Sequence, residues 1–227
     1  MEYVEHIGPE FCSLDRSTKG FLSLVLLCFD GLCRLQEWSG VEDGEFPCLE
    51  TLRISGSFEL RSLPLVPFSS LRSFTLSQSR NIITFPASST LREVGISSCG
   101  SLNELPALPS LQSLQLSDCP SLVTFGHFPL LTVLDLDGQI IEDILHRLVN
   151  SHLLLECLKI WSHSLVSIHL DSKRLTSLAQ LELRCPNLQY CDELGSLTSL
   201  KVLYVSGSPQ LHVPDSLRSQ LEKLIDL

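Results

Sequence analysis

The most regular feature of the chain is a short apolar pattern, Leu-x-x-Leu-x-Leu, whose last two apolar positions are separated by a single residue. Alternation at this spacing is typical of an extended segment with one buried face. The pattern occurs nine times, at intervals of 20–25 residues, and therefore predicts nine short strands. The first apolar residues of the copies are Leu24, Leu49, Leu71, Leu91, Leu111, Leu131, Leu155, Leu178 and Leu200.

Each predicted strand is followed by a turn and by a second apolar set, as in Leu102 and Leu105, which is closed by Pro106. One such unit cannot bury its leucines alone, so we expect the units to stack and to form a parallel sheet along one side. A small residue recurs just after the strand motif, and we expect it to turn the chain inward and bond to the backbone of the neighbouring turn. These small residues are Ser57, Ser79, Cys99, Cys119 and Ser208.

The repeats identify the chain as a member of the leucine-rich repeat class. Within that class, the segments Cys99-Gly-Ser-Leu-Asn-Glu-Leu-Pro106 and Cys119-Pro-Ser-Leu122 resemble the repeats of plant intracellular immune receptors of the nucleotide-binding, leucine-rich repeat (NB-LRR) family. The segment Leu35-Gln-Glu-Trp38 and the start of the chain, from Tyr3 through Cys12, are similar to blocks inside the repeat array of that family. The resemblance covers nearly the whole chain.

The resemblance implies a leucine-rich repeat horseshoe, an α/β solenoid of about nine repeats. Its parallel sheet would line the concave side, and its convex side would be irregular or carry short helices. It also implies the recognition and autoinhibitory region of a cytoplasmic disease-resistance receptor. The partners would be a pathogen effector or a guarded host protein, and the nucleotide-binding domain of the full receptor. Because no Gly-x-x-x-x-Gly-Lys-Ser/Thr loop is present, we expect the chain to be the C-terminal part or a truncated relative of such a receptor.

The pattern divides the chain into three regions. Residues 1–20 carry no clean repeat and are expected to be the irregular tail of a missing repeat, and residues 21–213 form the array. Within the array, residues 137–154 have apolar residues at helical spacing and predict a longer, helical repeat. Residues 214–227 are expected to form a helical cap, although another strand from Leu221 is an alternative.

Composition narrows the function classes. The chain contains 48 leucines among 227 residues and 44% hydrophobic residues, which excludes a disordered chain. Its net charge of −10 argues against a nucleic-acid binder, and −7 of that charge lies in the first 50 residues. No apolar run approaches the roughly 20 residues of a membrane span, and no signal sequence is recognised, so we expect a cytoplasmic location.

Candidate chemistry is sparse. The nine cysteines are expected to be reduced structural thiols, and we expect neither a cofactor nor a metal nor an enzyme activity. Cys157, His163 and His169 lie close in sequence but fit no common zinc spacing. Asp135 and Asp137 lie on one face of a strand, where nothing supplies a nucleophile or a partner base.

The candidate binding surface is geometric. Strand residues that alternate with the buried leucines must project from the concave sheet, and large or charged residues at these positions are candidates for protein binding. The candidate residues are Arg53, Asp135, Asp137, Lys159, Trp161, Glu182, Arg184 and Tyr204. Packing of the Trp161 ring against a neighbouring side chain is the alternative to partner binding there.

Other functions on this fold stay open. The substrate-receptor arm of an F-box ubiquitin ligase also uses leucine-rich repeats, but it needs a helical segment upstream, for which residues 1–20 are too short. An extracellular receptor domain is disfavoured because there is neither a signal peptide nor an Asn-x-Ser/Thr sequon. An enzyme activator or catalytic domain has no supporting site.

Overall fold

The computed structural model describes residues 3–12, 20–64, 68–138, 144–145, 147–148 and 154–226. These residues form parallel strands and little helix. The strands are β1 (His6–Ile7), β2 (Leu26–Asp30), β3 (Glu37–Trp38), β4 (Thr51–Ser55), β5 (Ser73–Ser77), β6 (Glu93–Ser97), β7 (Glu104–Leu105), β8 (Ser113–Ser117), β9 (Thr124–Phe125), β10 (Val133–Asp137), β11 (Cys157–Trp161), β12 (Ser167–His169), β13 (Gln180–Arg184), β14 (Tyr190–Asp192), β15 (Val202–Val205) and β16 (Lys223–Asp226). Single turns of 3-10 helix cover Pro9–Phe11 and Leu194–Ser196, and α1 covers Asp215–Gln220.

The chain divides into two compact units. The first contains Met1–Leu111 and Asp118–His127, and the second contains Gln112–Ser117 and Phe128–Leu227. In the first unit, the order of the longer strands is β2-β4-β5-β6; in the second, it is β8-β10-β11-β13-β15-β16. Each unit is therefore a parallel β-solenoid, which confirms the stacking predicted from the repeats.

A strand lies at each of the nine copies of the apolar pattern. The alternate residues of these strands are buried, as in β4, where Leu52 and Ile54 are 2% and 0% exposed. Their register aligns equivalent residues of successive turns, so that Leu52 pairs with Phe74 and Ile54 with Leu76. The core is consequently a stack of apolar layers contributed one turn at a time.

At the end of most of the longer strands, one residue has a left-handed backbone conformation. The residue directly after the strand has a positive φ, between 49° and 130°, in six turns, at Gly31, Gly56, Gln78, Ser98, Asp118 and Gly138; Gly207, two residues after β15, also has a positive φ. At Gly31, Gly56, Gln78 and Gly138 the N–H of this residue donates to the following strand; Gly56 N donates to Ser77 O at 3.1 Å. Glycine adopts this left-handed conformation freely, whereas Gln78, Ser98 and Asp118 adopt it against the steric hindrance of their Cβ atoms.

The predicted bond of the small residues to the neighbouring turn is observed at Cys99, Cys119 and Ser208. It is not observed at Ser57, whose buried hydroxyl has no partner in the structure, or at Ser79, whose hydroxyl donates to Ser77 O of its own turn. The thiols of three cysteines donate to backbone carbonyls of the preceding turn: Cys99 to Leu76 O, Cys119 to Ile96 O and Cys185 to Ile160 O, at 3.7–3.8 Å. At the equivalent position of the following turn, the hydroxyl of Ser208 donates to Cys185 O at 2.7 Å. Carbonyl groups that the turn would otherwise leave unpaired in the core are thereby satisfied.

Aromatic residues are concentrated in the first unit. Six of the chain's 15 aromatic side chains form a closed ring of contacts with centroid separations of 4.9–6.0 Å. In order around the ring they are Phe11, Phe21, Phe46, Phe68, Trp38 and Phe29. Each such pair stabilises the fold by about 0.5–1.5 kcal/mol more than the burial of its apolar area alone, so the ring stabilises the packing of the first unit.

The start of the chain is more ordered than an irregular tail. β1 pairs in parallel with β3, matching His6 with Glu37 and Ile7 with Trp38, and Phe11 joins the aromatic ring. Residues 3–12 therefore belong to the solenoid, which differs from the expectation for residues 1–20. Residues 13–19 lie outside the described residues.

The predicted helix over residues 214–227 is present only over Asp215–Gln220, and Lys223–Asp226 forms β16 instead. Leu224 pairs with Leu203 in the register shared by the other strands. The alternative of one more strand is the one observed. The helix ends because Leu221 is extended, with φ −70° and ψ 133°, which returns the chain to the sheet.

The helical repeat predicted at 137–154 falls largely outside the described residues. Residues 144, 145, 147 and 148 are helical, and Ile144, Leu145 and Leu148 are buried. Asp137 ends β10.

Candidate functional site

The candidate site lies on the open face of the second unit, the side of its strands opposite the buried leucines. Register places Asp135, Lys159, Glu182 and Tyr204 in one row across β10, β11, β13 and β15. A second row contains Asp137, Trp161 and Arg184. Seven of the eight predicted residues are thus neighbours on one sheet face, because strands in register carry equivalent positions to the same side.

The eighth predicted residue, Arg53, lies in the first unit. It occupies the centre of β4, is exposed, and pairs in register with Cys28 and Thr75. It is therefore a separate position on the surface of its own unit.

The centre of the site is a stacked pair. The Arg184 guanidinium carbon lies 4.0 Å from the centroid of the Trp161 ring. Nε and Nη2 of Arg184 both donate to Oε1 of Glu182, at 2.8 and 2.7 Å. The two contacts fix the guanidinium plane over the indole, since a stacked arginine that is also held by a carboxylate has little rotational freedom.

Burial differs across the stacked pair. The Glu182 side chain is 12% exposed and Arg184 is 49% exposed. Trp161 is 38% exposed, which is large for an indole on a strand. The Glu182 carboxylate therefore holds the guanidinium from its buried side, while the outer edges of the guanidinium and the indole remain in contact with solvent.

Electrostatics link the first row. Burial raises the pKa of Asp135, the charge of Lys159 opposes that shift, and Glu182 and Asp137 add to it. The pKa of the Cys157 thiol, in the same strand as Lys159, is also raised chiefly by burial. Charges of both signs alternate along the row, so the surface has no single-sign field of the kind that binds nucleic acid.

Two residues that the sequence did not single out complete the site. Lys223 on β16 places its Nζ 5.5 Å from the centroid of the Tyr204 ring. The hydroxyl of Ser117 donates to Oδ2 of Asp137 at 3.2 Å. Lys223 was missed because residues 214–227 were expected to be helical; the periodicity of Leu221 and Leu224 was the signal that could have placed it.

We call this surface the aromatic–charge patch and define it by its seven large or charged central residues. They are Asp135, Lys159, Trp161, Glu182, Arg184, Tyr204 and Lys223.

The first unit contains an apolar cavity of about 530 Å³. The residues that line it include Leu52, Leu63, Phe74, Ser88 and Thr90. The hydroxyls of Ser88 and Thr90 bond to each other and to nearby backbone groups. Among the described residues, those that line the cavity include no ionisable side chain.

The described residues contain no group of three His, Cys, Asp or Glu side chains that could hold a metal ion. Cys157, His163 and His169 form no such group. All nine cysteines are free thiols in the structure. Within the described ranges, the structure also has no helix long and apolar enough to cross a membrane.

Comparison with known proteins assigns no family to the chain. No protein-family model matches it, and no curated protein matches it significantly. The function is therefore inferred from the aromatic–charge patch and from the repeat sequence.

Proposed function

We propose that the chain is a non-catalytic protein-interaction module and that the aromatic–charge patch is its recognition surface. Trp, Tyr and Arg are the residue types that most often dominate the binding energy of protein interfaces, and the patch contains one of each. Their neighbours are charged residues of both signs, which supply specificity and orientation for a protein partner.

The observation that carries this proposal is the fixed geometry of Arg184. Holding an arginine in one conformation normally opposes binding by about 0.5–1.5 kcal/mol of side-chain ordering. Here the Trp161 ring and the Glu182 carboxylate already order it in the free protein. A partner that contacts the exposed edges of the guanidinium and the indole avoids most of that cost.

The biological setting follows from the sequence resemblance. We propose that the module is the recognition and autoinhibitory leucine-rich repeat region of a plant intracellular NB-LRR immune receptor, acting in the cytoplasm. Its partners would be a pathogen effector or a guarded host protein, and the nucleotide-binding domain of the receptor. The repeats around Cys99 and Cys119 and the parallel solenoid support this proposal.

The binding role is tested by selecting peptides from a phage-displayed random library on the immobilised chain. Each selected peptide is then measured against Trp161→Ala and Arg184→Ala, with Gln115→Ala as the matched control. Gln115 is an exposed open-face residue of the same unit and lies outside the patch. We expect a loss of about tenfold or more for the two patch variants and no more than about twofold for the control. If the selected peptides bind all variants equally, the aromatic–charge patch is not the recognition surface.

The receptor role is tested in leaves. The chain is joined to the signalling part of a plant NB-LRR receptor, and cell death is scored with and without the combined replacement of Trp161, Arg184 and Tyr204 by alanine. We expect altered recognition or loss of restraint. Unchanged cell death in both conditions would contradict this role while leaving peptide binding by the patch unaffected.

A further inference from the structure

The aromatic–charge patch has an acidic side, which is formed by β10. Asp135 and Asp137 alternate with buried leucines on this strand and lie on the open face. Neither carboxylate forms an ion pair with any residue that the structure describes, and Asp137 accepts one hydrogen bond, from Ser117. Beyond β10, strand β8 presents Ser113, Gln115 and Ser117 to the same face. The neighbouring strand β8 therefore supplies no cation to balance the two carboxylates.

Trp161 lies between this acidic side and the stacked arginine. On one side of Trp161, β13 carries Arg184, whose guanidinium carbon lies 4.0 Å from the ring centroid and covers one face of the indole. On the other side, β10 carries Asp137 in register with Trp161, at the strand spacing of about 4.8 Å. Both faces of an indole attract cations, because each carries the negative part of the ring quadrupole. Since Trp161 is 38% exposed, the indole has surface left for a second cation beside β10.

The charges around Trp161 favour a positive group. On the open face of β10, β11 and β13, three carboxylates and two cations leave a net charge of −1; they are Asp135, Asp137, Glu182, Lys159 and Arg184. The remaining cation of the patch, Lys223, is three strand spacings from β11, about 14 Å, which exceeds the screening length of about 8 Å in physiological salt. A partner group that approaches Trp161 from the β10 side is therefore selected for positive charge.

The geometry suits a guanidinium better than an ammonium group. A guanidinium is planar, so it stacks flat on an aromatic ring while its N–H groups donate to a carboxylate in the same plane. Arg184 makes this combination within the chain, with the Trp161 ring and with Glu182. A second guanidinium on the β10 side would repeat it with Trp161 and Asp137.

We propose that the β10 side of the aromatic–charge patch binds one arginine side chain of the partner protein. The guanidinium stacks on the Trp161 ring and donates to the carboxylates of Asp137 and Asp135. These N–H groups replace the water that the carboxylates lose when the partner covers them, which avoids the cost of burying an unpaired charge. This inference rests on the recognition function proposed for the patch and names the chemistry of its partner.

The two tryptophans of the chain make the site observable by NMR. In the full chain with isotope-labelled tryptophan, the indole N–H of Trp161 reports on the site, and that of Trp38, which is 1% exposed, is the internal control. The probe is acetyl-Gly-Arg-Gly-amide. Matched probes carry citrulline, which has nearly the shape of arginine without its charge, or glutamate in place of arginine.

We expect the arginine probe to shift the Trp161 signal in a saturable manner and to leave the Trp38 signal unchanged. It should bind about fivefold or more tightly than the citrulline probe, and this advantage should shrink as salt is added. An unchanged Trp161 signal, or equal binding by the arginine and citrulline probes, overturns the proposal. Tighter binding by the glutamate probe assigns the surface to an acidic partner and also overturns it.

The two carboxylates are tested with matched amide variants. The combined Asp135→Asn and Asp137→Asn variant removes both charges and keeps the shape of the side chains. The control is Glu156→Gln, an exposed acid of the same unit that lies outside the patch. We expect the arginine probe to bind about fivefold or more weakly to the double variant and to change less than about twofold in the control. With the Trp38 signal at its wild-type position as evidence of folding, equal binding by the double variant and the control rejects the site.

Peptides selected on the immobilised chain separate this proposal from the recognition function. In peptides whose binding requires Trp161, each arginine is replaced in turn by citrulline. We expect one replacement to weaken binding to the wild type about fivefold or more and to have little effect with the double variant, which is coupling across the interface. If every such peptide tolerates citrulline or lacks arginine, the arginine site is refuted and the recognition function stands. If the selected peptides do not require Trp161, the recognition function is refuted, and the arginine site of a partner with it.

Discussion

The stacked pair in the aromatic–charge patch gives the sharpest test of the structure's energetics. Arg184 contacts two groups at once, the Trp161 ring and the Glu182 carboxylate, so replacing it by alanine removes both contacts. The double-mutant cycles Arg184/Trp161 and Arg184/Glu182 separate the two contributions. The matched control is the pair Lys201–Glu222, an ion pair of 3.4 Å with side chains 62% and 67% exposed.

The expected magnitudes follow from burial. A cation over an indole contributes about 0.5–2 kcal/mol, and the half-exposed guanidinium places the Arg184/Trp161 coupling at about 1 kcal/mol. A fully buried ion pair would couple by several kcal/mol, but solvent screening at the exposed arginine reduces the expected Arg184/Glu182 coupling to about 1 kcal/mol. The Lys201/Glu222 coupling is expected to be below about 0.5 kcal/mol, since both side chains are exposed.

The assay is equilibrium unfolding in urea at pH 7, followed by circular dichroism for the wild type and each single and double variant. Coupling is obtained from the free energies of unfolding at constant denaturant slope. If the Arg184/Glu182 coupling does not exceed that of Lys201/Glu222, the reasoning from burial is wrong. If the Arg184/Trp161 coupling is zero, the stack does not order the arginine, and the main support for the binding proposal is lost.

Three further outcomes are expected. In the native chain Cys28, which is exposed, should react rapidly with Ellman's reagent, whereas Cys99 should react only on unfolding, because burial raises its pKa to about 11. Ser98→Gly should stabilise the chain by about 0.5–1 kcal/mol in urea unfolding because φ is 53°, and Gly56→Ala should destabilise it by about 1 kcal/mol because φ is 67°. Asp135→Asn should stabilise the chain at pH 7 by roughly a few tenths of a kcal/mol. The reason is that the folded state raises the pKa of this carboxyl and so disfavours its charged form. That gain should vanish as the pH falls below the ordinary pKa of aspartate, about 3.9, where the carboxyl is neutral in both states; a gain that persists at low pH would show that charge is not its cause.

The strands were predictable because their signal is local. The two-residue alternation in a copy such as Leu111-x-x-Leu114-x-Leu116 fixes which side chains are buried, and nine copies in the same phase fix a parallel stack. The small residues after the strands were predictable in part: Cys99 and Cys119 bond to carbonyls one turn earlier, as repeat position indicated, whereas the buried hydroxyl of Ser57 does not.

The end of the chain was predicted less well because two local signals conflict there. Asp215–Gln220 has helical periodicity, and the pattern continues with Leu221 and Leu224. Only pairing of Leu224 with Leu203 shows that the repeat register prevails over helix propensity after residue 220. The same pairing of β16 with β15 brings Lys223 close to the Tyr204 ring.

The sequence by itself determined the positions of the nine repeat strands and their inward and outward residues, because these depend only on spacing along the chain. The tertiary structure decided which outward residues interact. Whether Arg184 bonds to Glu182 depends on the rotamers of two side chains on one strand, and whether Arg184 stacks on Trp161 or Lys223 approaches Tyr204 depends also on the distance between neighbouring strands. It also decided that six aromatic residues close into one ring of contacts, since packing between distant segments has no local signature in the sequence.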